Sequence, residues 1–174
     1  MGTWNAFYIR RNTSDSAVES AVRAWFPKAH IEVGPTFLGV LLEEEEYLPP
    51  EDLLASLSSK FETEVIWLSF QSVVDAFQFY HWRGGKGLRA LVFGCFEKER
   101  TWERVDGESE PWEYAVFFDG KISAPSPACM ESSEEEKEPT LPHETHLIVG
   151  STNPRLDARV CAREIALYYG LPGF

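Results

Sequence analysis

Residues 64–105 read EVIWLSFQSVVDAFQFYHWRGGKGLRALVFGCFEKERTWERV, a series of apolar and aromatic runs cut by short polar breaks. β-Branched and aromatic side chains suit the pleated, half-buried surface of a sheet, and Val65–Phe70 is such a run. From Val73 to Arg83 the alternation puts Val73, Asp75, Phe77, Phe79 and His81 on one face and Val74, Ala76, Gln78, Tyr80 and Trp82 on the other. Both sets are partly apolar, which predicts a central strand covered on both sides. Gly84-Gly85-Lys86-Gly87 suits a hairpin connection, because glycine accepts the positive φ such turns need. Leu88–Phe96 returns, Glu97–Arg100 turns, and Thr101–Val105 makes a last short strand. The stretch predicts an antiparallel meander around which the rest of the chain is arranged.

Upstream, Thr3–Arg10 reads as a strand. Ser16 with Glu19 fits a capping box, and Val18, Ala21, Val22 and Trp25 follow as one apolar helical stripe, stopped by Pro27. Thr36–Glu44 is a second strand, running into the acidic residues 43–46. Pro50 suits the first position of a second helix, Glu51 and Asp52 complement its dipole, and Leu54, Leu57 and Phe61 form its apolar stripe.

Downstream, Pro111–Phe118 fits a strand or a helix equally. Residues 119–142 hold Pro125, Pro127, Pro139, Pro142 and an acidic cluster at 131–138, without apolar periodicity. That composition predicts a long mobile loop. Leu147–Val149 reads as a short edge strand. Asn153 and Pro154 open a C-terminal helix over 153–170, with Ala158, Cys161, Ala162, Ile165 and Tyr169 as its apolar stripe and Gly170 at its end. Arg155, Arg159 and Arg163 share another face and offer a dock for the acidic cluster. The whole predicts one α+β domain over residues 1–174. Its sheet is mostly antiparallel, its helices pack mainly on one face, and its N-terminal part is ferredoxin-like by analogy.

The chain has 28 acidic and 16 basic residues, a net charge of −12. That balance argues against nucleic acid and against anionic membrane, both of which are held by Lys and Arg. It favours a basic protein partner or self-association. The scattered Cys95, Cys129 and Cys161 make no disulfide framework and no CxxC pair. With no apolar leader in MGTWNAFYIRRN and no run long enough to span a bilayer, the expected location is the cytoplasm.

Two clusters carry what chemistry the sequence offers. His81, Trp82, Arg83, Lys86 and Arg89 surround the glycine-rich turn, where a phosphate or carboxylate would meet two arginines and backbone N–H groups. GGKG lacks the spacing of a phosphate-binding P-loop. Trp102, Glu103, Arg104, Glu110, Trp112 and Glu113 surround Asp106-Gly107, an aromatic and carboxylate set of the kind that lines sugar clefts. From these, His81, Arg83, Lys86, Arg89, Trp102, Glu103, Trp112 and Glu113 are the candidate ligand-binding residues. His143-Glu144-Thr145-His146 is not the HExxH pattern and brings too few ligands for a metal. No nucleophile motif or dinucleotide fingerprint occurs, so no catalytic residue, cofactor or metal is expected. Two function classes follow. The first is a non-catalytic interaction or regulatory domain with an acidic surface. The alternative is a small enzyme or ligand-binding protein that takes an anionic or sugar-like molecule in an Arg/Lys/Trp cleft.

Overall fold

The alternation in residues 64–105 becomes four consecutive, mutually paired strands. A computed structural model describes residues 3–12, 14–42, 48–96, 99–118, 146–153 and 156–174. In chain order the elements are β1 (Thr3–Arg10), α1 (Asp15–Trp25), β2 (His30–Val33), β3 (Phe37–Leu41), α2 (Glu51–Lys60), β4 (Glu64–Gln71), β5 (Ala76–Arg83), β6 (Lys86–Phe93), β7 (Trp102–Gly107), α3 (Pro111–Phe117) and α4 (Ala158–Tyr169). The strands form one seven-stranded antiparallel sheet in the order β2-β3-β1-β4-β5-β6-β7. The α+β class and the antiparallel meander are thus those the sequence predicts. The first six elements run β-α-β-β-α-β with β1 between β3 and β4, the order of the ferredoxin-like pattern. β5, β6 and β7 then extend the sheet beyond β4.

Helices cover both faces rather than mainly one. On one face α1 and α2 lay Val18, Val22, Leu54 and Leu57 onto Phe7, Ile9, Leu38, Val40, Val65, Trp67, Tyr80 and Trp82. On the other, Trp112 of α3 and the α4 stripe Ala158, Cys161, Ala162 and Ile165 meet Ala6, Tyr8, Ile66, Leu68, Phe77, Phe79, Leu91 and Phe93. The cause is in β4 and β5, where both side-chain parities are apolar. Val65 and Trp67 need one cover and Ile66 and Leu68 another, since each large apolar side chain gains about 1.5–3 kcal/mol on full burial.

Several element boundaries differ from the sequence reading. β2 is unforeseen; its four residues HIEV pair with β3 at the sheet edge, where too few apolar positions exist to show a period. α1 begins at Asp15, with Ser16 inside its first turn bonded to Ser14 Oγ at 2.7 Å, so no Ser16–Glu19 capping box forms. Trp25 is 64% exposed, because Phe26, just past the helix, takes the inward position against Phe7. Pro50 is the N-cap of α2. Of residues 111–118, Pro111–Phe117 settle as helix α3 and Phe118 is its C-cap. Residues 147–149 form no strand; Thr152 instead bridges Thr101. The last helix starts at Ala158, where the Asp157 carboxylate caps it by accepting from the N–H groups of Arg159 and Val160, both at 3.0 Å. Gly170 ends it in the left-handed region at φ 67°, as expected. The acidic run 43–46, the predicted loop 119–142, the residues 143–145 and Arg155 lie outside the described residues, and with them the docking of 131–138.

Candidate functional site

The glycine-rich hairpin is tighter than its sequence suggests. Gly84 and Gly85 alone form the turn, at φ 56° and 83°, while Lys86 and Gly87 already belong to β6. Positive φ at both central residues gives the turn whose twist matches the flanking strands. α2 anchors the turn: Ser58 Oγ accepts from the Gly85 N–H at 2.7 Å. Two residues on, Leu88 is an extra residue in β6, since His81 faces Arg89 while Trp82 faces Gly87. The bulge sets His81, Arg89, Arg83 and Lys86 on the α3/α4 face. β7 reaches only as far as Gly107, opposite Arg89, so Lys86–Leu88 extend past it. Gly107 has φ 83°, and a Cβ there would sit 1.9 Å from the Leu88 carbonyl oxygen, so only glycine lets the two strands meet so closely.

Charge is buried at this end of the sheet. Arg89, 4% exposed, donates from Nε and Nη2 to the two oxygens of Glu113, 2% exposed, at 2.7 and 2.6 Å. Its Nη1 donates to the carbonyls of Asp106 and Gly107 at 3.2 and 2.8 Å. Glu113 Oε1 also accepts from the Glu110 backbone N–H at 2.9 Å, one half of a capping box at the start of α3. Glu110 is thereby held in place and collects three donors. His81 Nδ1 lies 2.6 Å from Oε1, Trp112 Nε1–H donates to Oε2 at 2.9 Å, and the Tyr169 hydroxyl of α4 donates to Oε2. As a carboxylate Glu110 can only accept, so His81 Nδ1 carries the proton it shares. The other ring nitrogen, Nε2, is buried without a hydrogen-bond partner.

A cavity of about 430 Å³ opens beside this network. His81, Lys86, Gly87 and Leu88 form one wall, and the segment Gly107–Pro111, with Glu108, Ser109 and Glu110, forms the other. Its size is within the range of small-molecule sites. Lys86 is exposed and has no carboxylate partner among the described residues. Across the sheet a smaller cavity of about 180 Å³ shares Gly87, Leu88 and Gly107 and adds Glu51, Tyr80, Trp82, Arg104 and Asp106. There the Arg104 guanidinium is already taken, by Glu51 at 2.7 Å and Asp106 at 2.6 Å, and lies over the Tyr80 ring. Burial, and then the Glu51 charge, push the Tyr80 phenol up to about 12. That cavity has little left to offer a ligand.

The structure brings His81 and Lys86 into one cavity, while Arg89, Glu113 and Trp112 lie outside its lining and hold Glu110 in place. Arg89 is saturated by protein acceptors, so it positions rather than binds. Arg83 shares the face but ion-pairs with Glu64 and lines neither cavity. Trp102 is 1% exposed, packed on Phe93 and Phe117. Glu103 bulges out of β7 and accepts from the backbone N–H groups of Cys95 and Phe96 at 3.2 and 2.8 Å, closing the β6–β7 turn. The hub, Glu110, carries a sequence signal that was available: a carboxylate three residues before Glu113 and just before a proline at a helix start. Tyr169 reads from sequence only as part of an apolar stripe.

Among the described residues no group of His, Cys, Asp and Glu is arranged to hold a metal, and no helix is long and apolar enough to cross a membrane. No protein family, curated protein or solved structure matches the chain.

Proposed function

We propose that the chain binds a small anionic or sugar-like molecule in the cavity between β6 and the Gly107–Pro111 segment. The observation that carries this reading is the meeting, in one cavity, of the uncommitted Lys86 ammonium and a buried imidazole with one nitrogen fixed and the other unpaired. Such convergent polar groups in a concave site are the usual basis of ligand recognition. Any catalysis at the site would fall to His81, with Glu110 setting its tautomer. Among the described residues neither Cys95 nor Cys161 forms a disulfide, which supports a reducing, cytoplasmic setting.

The test is a thermal-shift screen of phosphorylated metabolites, sugar acids and sugars on the wild type and on Lys86→Ala. A ligand at one hundred times its Kd adds about 2.7 kcal/mol, a rise of roughly 5–10 °C for a chain of this size. We expect a hit that shrinks in the variant. A blank panel, with both proteins folded, would remove the reading.

A second reading, a partner-binding domain, draws on Tyr114 of α3 and on Val160, Leu167 and Tyr168 of α4, all exposed on the outer side of the two helices that cover one face. With a net charge of −12, a basic partner would be held less tightly as salt is raised.

A further inference from the structure

We infer that the ligand is a hydroxylated anion, a sugar phosphate or hydroxy acid, whose hydroxyl donates to His81 Nε2 while its negative group meets Lys86. The inference rests on the cavity being the binding site proposed above. Several buried side chains have an unpartnered polar atom, but His81 is the one that also lines a described cavity. His81 is only 5% exposed, so bulk water does little for Nε2. In the neutral ring, with the proton on Nδ1 facing Glu110, Nε2 is a lone-pair acceptor. An acceptor buried without a donor is unfavourable, and a ligand that brings the donor relieves it.

The charges of the cavity narrow the ligand further. Lys86 is its one cationic side chain, and Glu108 its one exposed carboxylate. A bare phosphate or carboxylate would satisfy Lys86 but set its remaining oxygens against the Nε2 lone pair and Glu108. Hydroxyls donate to both, and Ser109 supplies a further hydroxyl that gives or accepts. The site therefore suits one negative group beside two or more hydroxyls. A site built to bond a hydroxyl rejects the analogue that lacks it far more strongly than an apolar pocket rejects a lost methylene.

Matched pairs test this on the full chain: glycerol 3-phosphate against propyl phosphate, and gluconate against hexanoate, by titration calorimetry. Nitrogen-15 NMR of the histidine rings, before and after each addition, reads the tautomer without any substitution. We expect the hydroxylated member of at least one pair to bind about tenfold tighter or more. His81 Nε2 should be unprotonated at pH 7.5 and should shift on binding, and Lys86→Ala should weaken binding. Equal, Lys86-dependent binding within each pair would overturn the inference while leaving the proposed site intact. So would an Nε2–H proton in the ligand-free protein. No binding of either pair also overturns it. In that case a Lys86-dependent hit elsewhere in the wider screen would keep the site with another ligand, and a blank there too would remove both.

Discussion

The two faces of the sheet are covered in different ways. Under α1 and α2 the contacts are apolar almost throughout, and Tyr80 and Trp82 stack parallel at 5.6 Å between ring centres. Under α3 and α4 the centre is equally apolar, but at the hairpin end it gives way to the buried Glu113 carboxylate, the partly buried Glu110 carboxylate, a guanidinium and an imidazole. A face that only needed closing would use aliphatic side chains there. A buried ion pair adds little net stability over apolar residues of the same volume, because desolvation cancels much of the attraction. The polar end is explained by what it holds in place: Arg89 fixes Glu113, Glu113 fixes the Glu110 backbone, and Glu110 fixes His81.

The sharpest way to break this contrast is to remove one member of the buried pair. Arg89→Ala leaves Glu113 buried and unpaired and should cost about 3–5 kcal/mol in chemical denaturation. Arg83→Ala, at the rim where its own side chain is 63% exposed against Glu64, should cost under about 1 kcal/mol. Replacing the pair together, Arg89→Met with Glu113→Leu, makes the two faces alike. That double variant should lose less stability than Arg89→Ala, because no charge is left buried and unpaired even though the Asp106 and Gly107 carbonyls and the Glu110 N–H lose their partners, and it should lose the ligand-induced thermal shift. Retention of the shift would show that the pair has no part in shaping the cavity.

A second effect, smaller, concerns both faces together. Burial pushes the Cys161 thiol under α4 up to about 12, and the Tyr80 phenol on the opposite face is also pushed up to about 12. In the unfolded chain these groups ionise near their ordinary values of about 8.5 and 10. Raised folded values mean that their contribution is whole below about pH 8.5 and is lost as pH climbs towards 12. Denaturation midpoints should fall by the equivalent of about 1–2 kcal/mol by pH 10, and Cys161→Ala should flatten that decline. An unchanged alkaline limb in the variant would rule Cys161 out as its source.

The smallest expected effect lies at the start of α4. Asp157→Ala should cost about 1 kcal/mol, the usual worth of an N-cap. Asn153→Ala should cost less, since the helix does not begin there. The reverse order would restore the longer helix that the sequence suggests.

Asn153-Pro154 is a sound helix opening in isolation, but Asp157 offers a cap directly before the first inward residue, Ala158, and packing chooses the later start. The meander was legible because eight-residue strands show their period, whereas β2 has four residues and one good partner. His81, Lys86, Arg89, Trp112 and Glu113 could be picked out as candidates because they crowd two turns. Their division into cavity wall and support could not, because it depends on the Leu88 bulge, which strand parity alone does not reveal. Arg83 and Arg89 look equivalent along the chain. Arg83 meets the buried Glu64 carboxylate from the exposed rim, and Arg89 is enclosed beside α3. Glu110 stayed in the background because glutamate is common in this chain, and its role depends on donors from β5, α3 and α4 at once.

The order of the elements along the chain also bears on how the protein is made. α1 and α2 precede or interleave with the strands they cover, so their face can close while the chain is still being synthesised. α4 follows all seven strands, and until it emerges the row Ile66, Leu68, Phe77 and Phe79 lacks its cover, α3 reaching only the Phe77 and Phe79 end. A ribosome-bound chain stopped before residue 158 would display that row to its neighbours, and exposed apolar strands of this kind are what holdase chaperones engage and what drives aggregation. The covering helix therefore acts as a timing element: the greasy side of the nascent sheet is the last to be sealed.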